Sequence, residues 1–332
     1  MKKISLTGIK PTGTPHIGNY LGAIKPAIEL AREYKAFYFI ADYHALTTVK
    51  NGGELKHLSY EVACTWLALG LNPQEVTFFR QSDIPELFEL MWILACLTPK
   101  GLLNRAHAYK ASVDKNIAAG KPGDEGLNAG LFNYPVLMAA DILLFRTNVV
   151  PVGLDQKQHV EIARDIAVSF NKNYKKILTL PEALIQEEVM TVPGVDGRKM
   201  SKNYDNTLPI FASPEELRKR VMRIVTDSRQ PSEPKDPDRC NIFAIYRQFA
   251  SSEAVAAARR QYEQGGKAYS EMKQELYELL NETFAEARRK YDDLMSNRDY
   301  IDQVLAEGAE RARSFAVPLM KEVRKAVGVG PR

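Results

Sequence analysis

The sequence predicts an α/β fold: a doubly wound parallel sheet in residues 1–205, followed by an all-helical domain in residues 206–332. Three observations lead there. Short apolar runs alternate with helix-period stretches through the first part of the chain, the pattern of strands joined by crossover helices. Strand signals stop from Ser213 onward. The residues richest in chemistry (10–13, 42–44, 153–156 and a loop with two lysines) come directly after apolar runs, where open parallel sheets bind ligands.

Taken in order, the first strand, 4–7, turns through Gly, Pro and Thr into a helical pattern over 20–34. Further strands are expected over 37–41, 76–79, 149–152 and 188–191, with helices over 54–69, 85–97, 135–144 and 158–170. Residues 97–130 are longer and more polar, loosest at Lys121-Pro122-Gly123-Asp124-Glu125-Gly126, and read as an insertion with a flexible, lysine-bearing loop. Ser213-Pro214-Glu215-Glu216 opens a helix, with a capping serine, proline in the first turn and glutamate three residues on. Residues 227–239, with three prolines, read as a loop. Helices then run to about Val327, the last of them available to pack back on the sheet domain.

An apolar content of 45% and a charged content of 26% are those of an ordinary globular protein. The formal charge of +4 permits a nucleic-acid partner without arguing for one. Cys64, Cys96 and Cys240 are far apart and no Cys-x-x-Cys occurs, so neither a metal cluster nor a disulfide framework is expected. Met1-Lys2-Lys3-Ile4 enters a strand pattern without a long apolar run. No signal peptide, membrane span or membrane partner is therefore expected, and a cytoplasmic setting follows.

Two segments carry the chemistry. Pro11-Thr12-Gly13-Thr14-Pro15-His16-Ile17-Gly18-Asn19 leaves a strand and enters a helix, gathering backbone N–H groups where they can hold phosphate. Thr12 adds a hydroxyl, and His16 and Asn19 add donors. Gly18 lets a nucleotide approach, and Gly22 lets the helix pack closely on the sheet. Alone, this segment reads equally well as a plain turn with a surface histidine. The second segment, Lys199-Met200-Ser201-Lys202-Asn203, follows a flexible lead-in from Gly194 to Arg198. Its two ammonium groups and hydroxyl are the donors that steady a departing pyrophosphate. A solvated basic loop is the rival reading. The company of the first segment favours a nucleotide site, as does the lack of Gly-x-x-x-x-Gly-Lys-Ser/Thr and Gly-x-Gly-x-x-Gly sequences. Together the two segments indicate a chain that holds ATP and activates a carboxylate.

They resemble the His-Ile-Gly-His and Lys-Met-Ser-Lys-Ser signatures of class I aminoacyl-tRNA synthetases, whose catalytic domain is Rossmann-like. Four blocks are similar to the bacterial tryptophanyl-tRNA synthetases in particular: Gly8-Ile9-Lys10-Pro11-Thr12-Gly13, Asn19-Tyr20-Leu21-Gly22-Ala23, Tyr134-Pro135-Val136-Leu137-Met138-Ala139-Ala140-Asp141-Ile142-Leu143 and Pro151-Val152-Gly153-Leu154-Asp155-Gln156-Lys157-Gln158-His159. Thr226-Asp227-Ser228 extends the likeness into the helical part, so it covers essentially the whole chain.

The resemblance implies two half-reactions: tryptophan and ATP give tryptophanyl-adenylate and pyrophosphate, and the acyl group then passes to tRNA(Trp). It places Asp141 as acceptor of the indole N–H, on an otherwise apolar helix where an unpartnered carboxylate would be costly. Met138, Val150 and Val152 would line the indole slot, although as residue types all three are ordinary core. Tyr134 and Gln156 would contact the α-amino group, with His44 nearby; a lone histidine there is otherwise structural. ATP would be held by Lys10, Pro11, Thr12, Gly18, Asn19, Gly153, Leu154, Asp155, Val189, Lys199, Met200, Ser201, Lys202 and Asn203. Among these, Gly153 and Asp155 serve adenine and ribose, and Val189 offers its backbone to adenine. His16, Asn19, Lys199, Ser201 and Lys202 would be catalytic, with Mg2+ arriving on the nucleotide and no dedicated protein metal site.

The resemblance also implies a homodimer and an anticodon-reading helical region carrying Arg218, Lys219, Arg220, Arg223, Arg229, Arg259, Arg260, Arg288, Arg289 and Lys290. Solvated helix faces explain most of those charges equally well. Residues 88–97 read as dimer interface or as core. Two positions depart from the family pattern: Lys10 stands where glutamine is usual, and Asn203 where serine is usual. The rival identities are a tyrosine-specific synthetase, a nucleotidylyltransferase and a non-catalytic RNA-binding paralogue. Intact His16, Asp141, Lys199 and Lys202 count against the last.

Overall fold

The computed structural model describes the chain except Met1, Thr12, Thr14, residues 186–191, Pro331, Arg332 and the side chain of Asp155. Among the described residues five strands form one parallel sheet in the order β3-β2-β1-β4-β5. They are β1 (Ile4–Ile9), β2 (Lys35–Ile40), β3 (Thr77–Arg80), β4 (Val149–Val152) and β5 (Glu182–Ile185). The register pairs Ile4 with Lys35 and Ile9 with Ile40 across β1 and β2, and Phe37 with Thr77 across β2 and β3. Parallel sheets are covered on both faces, so Ala36-Phe37-Tyr38-Phe39-Ile40 is buried without alternation. Strand order reverses between β1 and β4, and ligand sites of such sheets lie beyond the carboxyl ends at that point.

Four strands lie where they were expected. The fifth, expected over 188–191, lies outside the described residues, and β5, Glu182-Ala183-Leu184-Ile185, is a strand beyond those expected. Its side chains favour helix, but an edge strand paired only with β4 is held by its backbone. The helix expected over 135–144 begins earlier, at Ala129, because the Asn128 side chain accepts from the Leu131 N–H; Pro135 therefore sits inside it. The extension puts Tyr134, Met138 and Asp141 on one helix face. The expected loose insertion is largely helical, with helices Lys100–Asn104 and His107–Ala118. Its loop is pinned by the Asn116 amide, which donates to the carbonyls of Gly123 (3.0 Å) and Glu125 (2.9 Å).

The helix expected over 20–34 is interrupted. A short turn, Ile17–Asn19, runs into a π-helical stretch, Tyr20–Ile24, before the helix Lys25–Leu30. Apart from its chain neighbours and its own helix, no described heavy atom lies within 4 Å of where a Gly22 Cβ would be.

The chain divides into two compact units. One comprises Met1–Gly13, Ala27–Glu187 and Asn297–Arg332; the other comprises Thr14–Pro26 and Glu188–Ser296. This division runs otherwise than a cut at residue 205, since both signature segments fall largely with the helical unit and the last helix falls with the sheet.

Within the sheet unit, Gly308 lets the helix Arg298–Val327 lie directly on β3, because a Cβ there would run into the Phe78 carbonyl. Arg313 clamps Glu86 (2.7 and 3.2 Å) and Arg324 clamps Glu89 (2.7 Å), tying this helix to the helix Glu86–Ala95. Gly308→Ala is expected to destabilise the protein by about 2 kcal/mol, the scale of overpacking a filled interior. A thermal melt by circular dichroism would register it, and an unchanged midpoint would contradict this packing.

In the helical unit, Ser213 caps the helix Pro214–Met222 as expected, accepting from the Glu216 N–H at 3.2 Å. Lys235 is buried there, donating to the carbonyls of Gln230, Pro231 and Glu233 at 3.1 Å each. The loop over 227–239 is thus wrapped around an ammonium group. Among the described residues no helix is long and apolar enough to cross a membrane.

Candidate active site

In the sheet unit, Asp141 is only 3% exposed and takes its donors from the ends of two strands. Gln81, the first residue after β3, donates through Nε2 to Oδ1 (2.8 Å) and Oδ2 (3.0 Å). His44 Nε2, in the short helix Asp42–Ala45 after β2, lies 2.8 Å from Oδ2. Burial pushes the Asp141 carboxyl above the usual carboxylate range, and the His44 and Gln81 hydrogen bonds oppose that push.

The Tyr134 ring stands edge-on to His44 (5.1 Å) and to His159 (5.0 Å). Its hydroxyl lies 3.5 Å from Gln156 Oε1 and 3.6 Å from Met138 Sδ. His44, Tyr134, Met138, Asp141 and Gln156 therefore gather in one place. Val150 is buried in the main core and Val152 is half-buried against it. Gly153 and Leu154 are exposed just after β4. Pro11 is buried, while Lys10 is exposed, 3.5 Å from Thr47 Oγ1. Partial burial draws the Lys10 pKa below the ordinary lysine value. Thr12, Val189 and the Asp155 side chain lie outside the described residues.

In the helical unit, His16 caps the turn Ile17–Asn19. Its Nδ1 accepts from the Asn19 N–H (3.3 Å), and Asn19 Oδ1 accepts from the His16 N–H (3.1 Å). Burial, followed by the Lys202 charge, lowers the ring pKa to about 4. The imidazole is therefore neutral at pH 7. Because Nδ1 is an acceptor, the single proton resides on Nε2, which becomes a neutral N–H donor. Gly18 makes room for this ring: a Cβ there would stand 3.0 Å from the imidazole and 3.5 Å from Met200 Cβ.

The expected flexible lead-in is instead a hydrogen-bonded hairpin. Met200 N–H donates to the Val192 carbonyl (3.0 Å) and Gly194 N–H to the Arg198 carbonyl (2.7 Å), with Gly197 at φ 81° near the tip. Asn206 fastens it from inside. Its Nδ2 donates to Asp196 Oδ1 (2.7 Å) and to the Lys199 carbonyl (3.1 Å), and its Oδ1 accepts from the Ser201 N–H (2.7 Å). Gly194 leaves the space that Asn206 fills. Ser201 Oγ accepts from the Asn203 N–H (3.3 Å) and caps the turn Lys202–Tyr204. That contact uses the main chain of residue 203, so asparagine and serine can both make it. The side chains of Lys199, Lys202 and Asn203 are exposed.

Two residues in these clusters had not been singled out. Gln81 lies two residues beyond the apolar run 76–79, close to the positional signal that marked 42–44. Asn206 sits in no pattern; only its burial and three bonds reveal it. Among the basic residues of the helical unit, Arg220 pairs with Glu216 (2.7 Å) and Arg259 with Asp238 (2.6 Å), so part of that charge is already engaged. On the helix Glu86–Ala95, Leu90 and Leu94 are buried while Trp92 is 73% exposed, so the segment serves the core on one face and shows an aromatic on the other.

Residues 2–285 match the family described as tRNA synthetases class I (W and Y). A tryptophan–tRNA ligase of Pseudomonas aeruginosa is 53% identical over 329 residues, covering 98% of this chain and 73% of the relative. One from Bordetella pertussis is 54% identical with the same coverage. Among solved structures, the tryptophanyl-tRNA synthetase of Campylobacter jejuni complexed with ADP and tryptophan is similar at a TM-score of 0.91 and 47% identity, covering 98% of this chain and all of that one. With the sheet order, the carboxylate cluster at the strand ends and the capped histidine turn in place, these likenesses decide the family: the chain belongs to the class I tRNA synthetases of the tryptophan and tyrosine group.

Proposed function

We infer that this chain is a tryptophan–tRNA ligase, which uses ATP to form tryptophanyl-adenylate and passes the acyl group to tRNA(Trp). The observation that supports tryptophan best is the buried Asp141 carboxylate, whose Oδ1 keeps acceptor capacity for a donor such as the indole N–H. A site built around such an acceptor rejects side chains that lack the donor, because the remaining acceptor capacity of the carboxylate is then buried without a partner.

In adenylation the tryptophan carboxylate attacks the α-phosphorus and pyrophosphate leaves. The neutral Nε2–H of His16 is proposed to donate to the α-phosphoryl group as its charge develops, with Asn19 beside it. Lys199, Ser201 and Lys202 hold the β- and γ-phosphates. Gly153 and Asp155 take adenine and ribose, and Tyr134 and Gln156 take the α-amino group. Magnesium prefers oxygen ligands, and these phosphate-facing side chains are mainly cations and neutral donors. When bound it would be held by phosphate oxygens and water, and would supply charge neutralisation there. Phe88 and Trp92, both exposed and one turn apart on one helix, support a homodimer using that face, and a cytoplasmic setting fits the protein-synthesis role.

Charging of purified tRNA with labelled tryptophan tests the whole reading, with tyrosine as comparator. Tryptophan-dependent charging is expected; charging with tyrosine alone would overturn it. Lys10→Gln is expected to raise the KM for ATP by about threefold, the scale of one exposed charge. An unchanged KM would remove Lys10 from the nucleotide site.

A further inference from the structure

Asp141 presents its oxygens unequally. Oδ2 receives two hydrogen bonds, from His44 (2.8 Å) and Gln81 (3.0 Å), whereas Oδ1 receives one, from Gln81 (2.8 Å). A carboxylate oxygen accepts about two such bonds. Oδ1 is therefore the oxygen with capacity left.

The orientation of Gln81 is fixed from its other end. Its Oε1 accepts from the Tyr43 N–H (3.2 Å). A flipped amide would set a carbonyl against the carboxylate and an NH2 against an N–H, so only one orientation satisfies both neighbours. Gln81 is itself buried, which leaves water no part in correcting a mismatch.

We propose that Gln81 is a specificity-determining positioning residue: by donating to both oxygens of Asp141 while held by the Tyr43 N–H, it keeps the carboxylate turned so that Oδ1 meets the indole N–H. This rests on the tryptophan reading given above. Gln81 touches no reacting atom in this scheme and acts through Asp141. The hydrogen bonds it makes favour the charged form against burial, which favours the protonated acid. A protonated Asp141 would offer a donor where the indole also has a donor.

The test uses Gln81→Met, which keeps the volume but removes both donors, and Gln81→Leu, a donorless variant of different shape. Pyrophosphate exchange is measured with tryptophan and with its benzothiophene analogue, in which sulfur replaces the indole N–H. Expected in either variant is a rise of about tenfold in the KM for tryptophan, as for loss of a hydrogen bond to a charged group, with kcat nearly unchanged. The KM for the analogue should stay as in the wild type, so the preference for tryptophan collapses. Because the preference is a ratio taken within one protein, a partly unfolded preparation does not distort it.

A parallel rise for both substrates, or none for either, would overturn the proposal. So would failure of both variants to fold, since Gln81 would then be a structural requirement. A wild type that shows no tryptophan-dependent exchange would instead sink the tryptophan reading itself.

Discussion

Lys202→Ala is expected to reduce tryptophan-dependent pyrophosphate exchange by about 10²–10³-fold, the scale of losing one preorganised donor to a developing charge. Tryptophan binding should persist, because Lys202 is assigned to the phosphates while the indole is assigned to Asp141. A second readout comes from the neighbour it influences. The Lys202 charge is the smaller of two causes that hold the His16 ring at a pKa of about 4, burial being the larger. Removing a positive charge makes protonation less costly, so the His16 pKa should rise in the variant, though only part of the way to the ordinary value. Proton NMR of the histidine ring would follow it. Near-normal exchange would refute the role of Lys202, and an unmoved ring titration would refute its electrostatic reach to His16.

Asp141→Asn is expected to lower kcat/KM for tryptophan by about a hundredfold, within the range for removing a charged partner from a buried hydrogen bond. The amide would also turn a donor toward His44 or Gln81, where a carboxylate only accepts. Stability should respond in the opposite sense. The Asp141 carboxyl titrates above its unfolded value. Its contribution to stability is thus present below the ordinary carboxylate range and is lost as pH rises through the folded pKa. Asp141→Asn removes that loss, so thermal melts should show the variant gaining on the wild type as pH rises. A melting difference between variant and wild type that does not move with pH, or a variant that keeps its tryptophan kcat/KM, would contradict this account.

Much of the architecture was legible because physics writes it locally. The apolar run around Phe37 marks a strand buried on both faces, and Ser213-Pro214 marks a helix start. The motif residues likewise fall at strand ends and helix caps, where the backbone dictates their place. What was not legible depends on partners distant in sequence. β5 is a strand because β4 offers it a backbone ladder, against the helix preference of Glu182-Ala183-Leu184. Pro135 reads as a helix start until Asn128 is seen capping seven residues earlier. Gln81 is sixty residues from the carboxylate it serves. Asn206 looks like any loop asparagine until the hairpin closes around it.

The helix Arg298–Val327 carries one more consequence, for the order in which the chain is made. Strand β3 leaves the ribosome early, yet the helix that lies against Phe78 through Gly308 is synthesised only after the entire helical unit. Until then that flank of the nascent sheet has no cover of its own. The early segment must wait, with apolar surface open to mispairing or to chaperones, for its last element to arrive. Ribosome-stalled chains lacking this helix should accordingly be far more protease-sensitive around β3 than the finished protein.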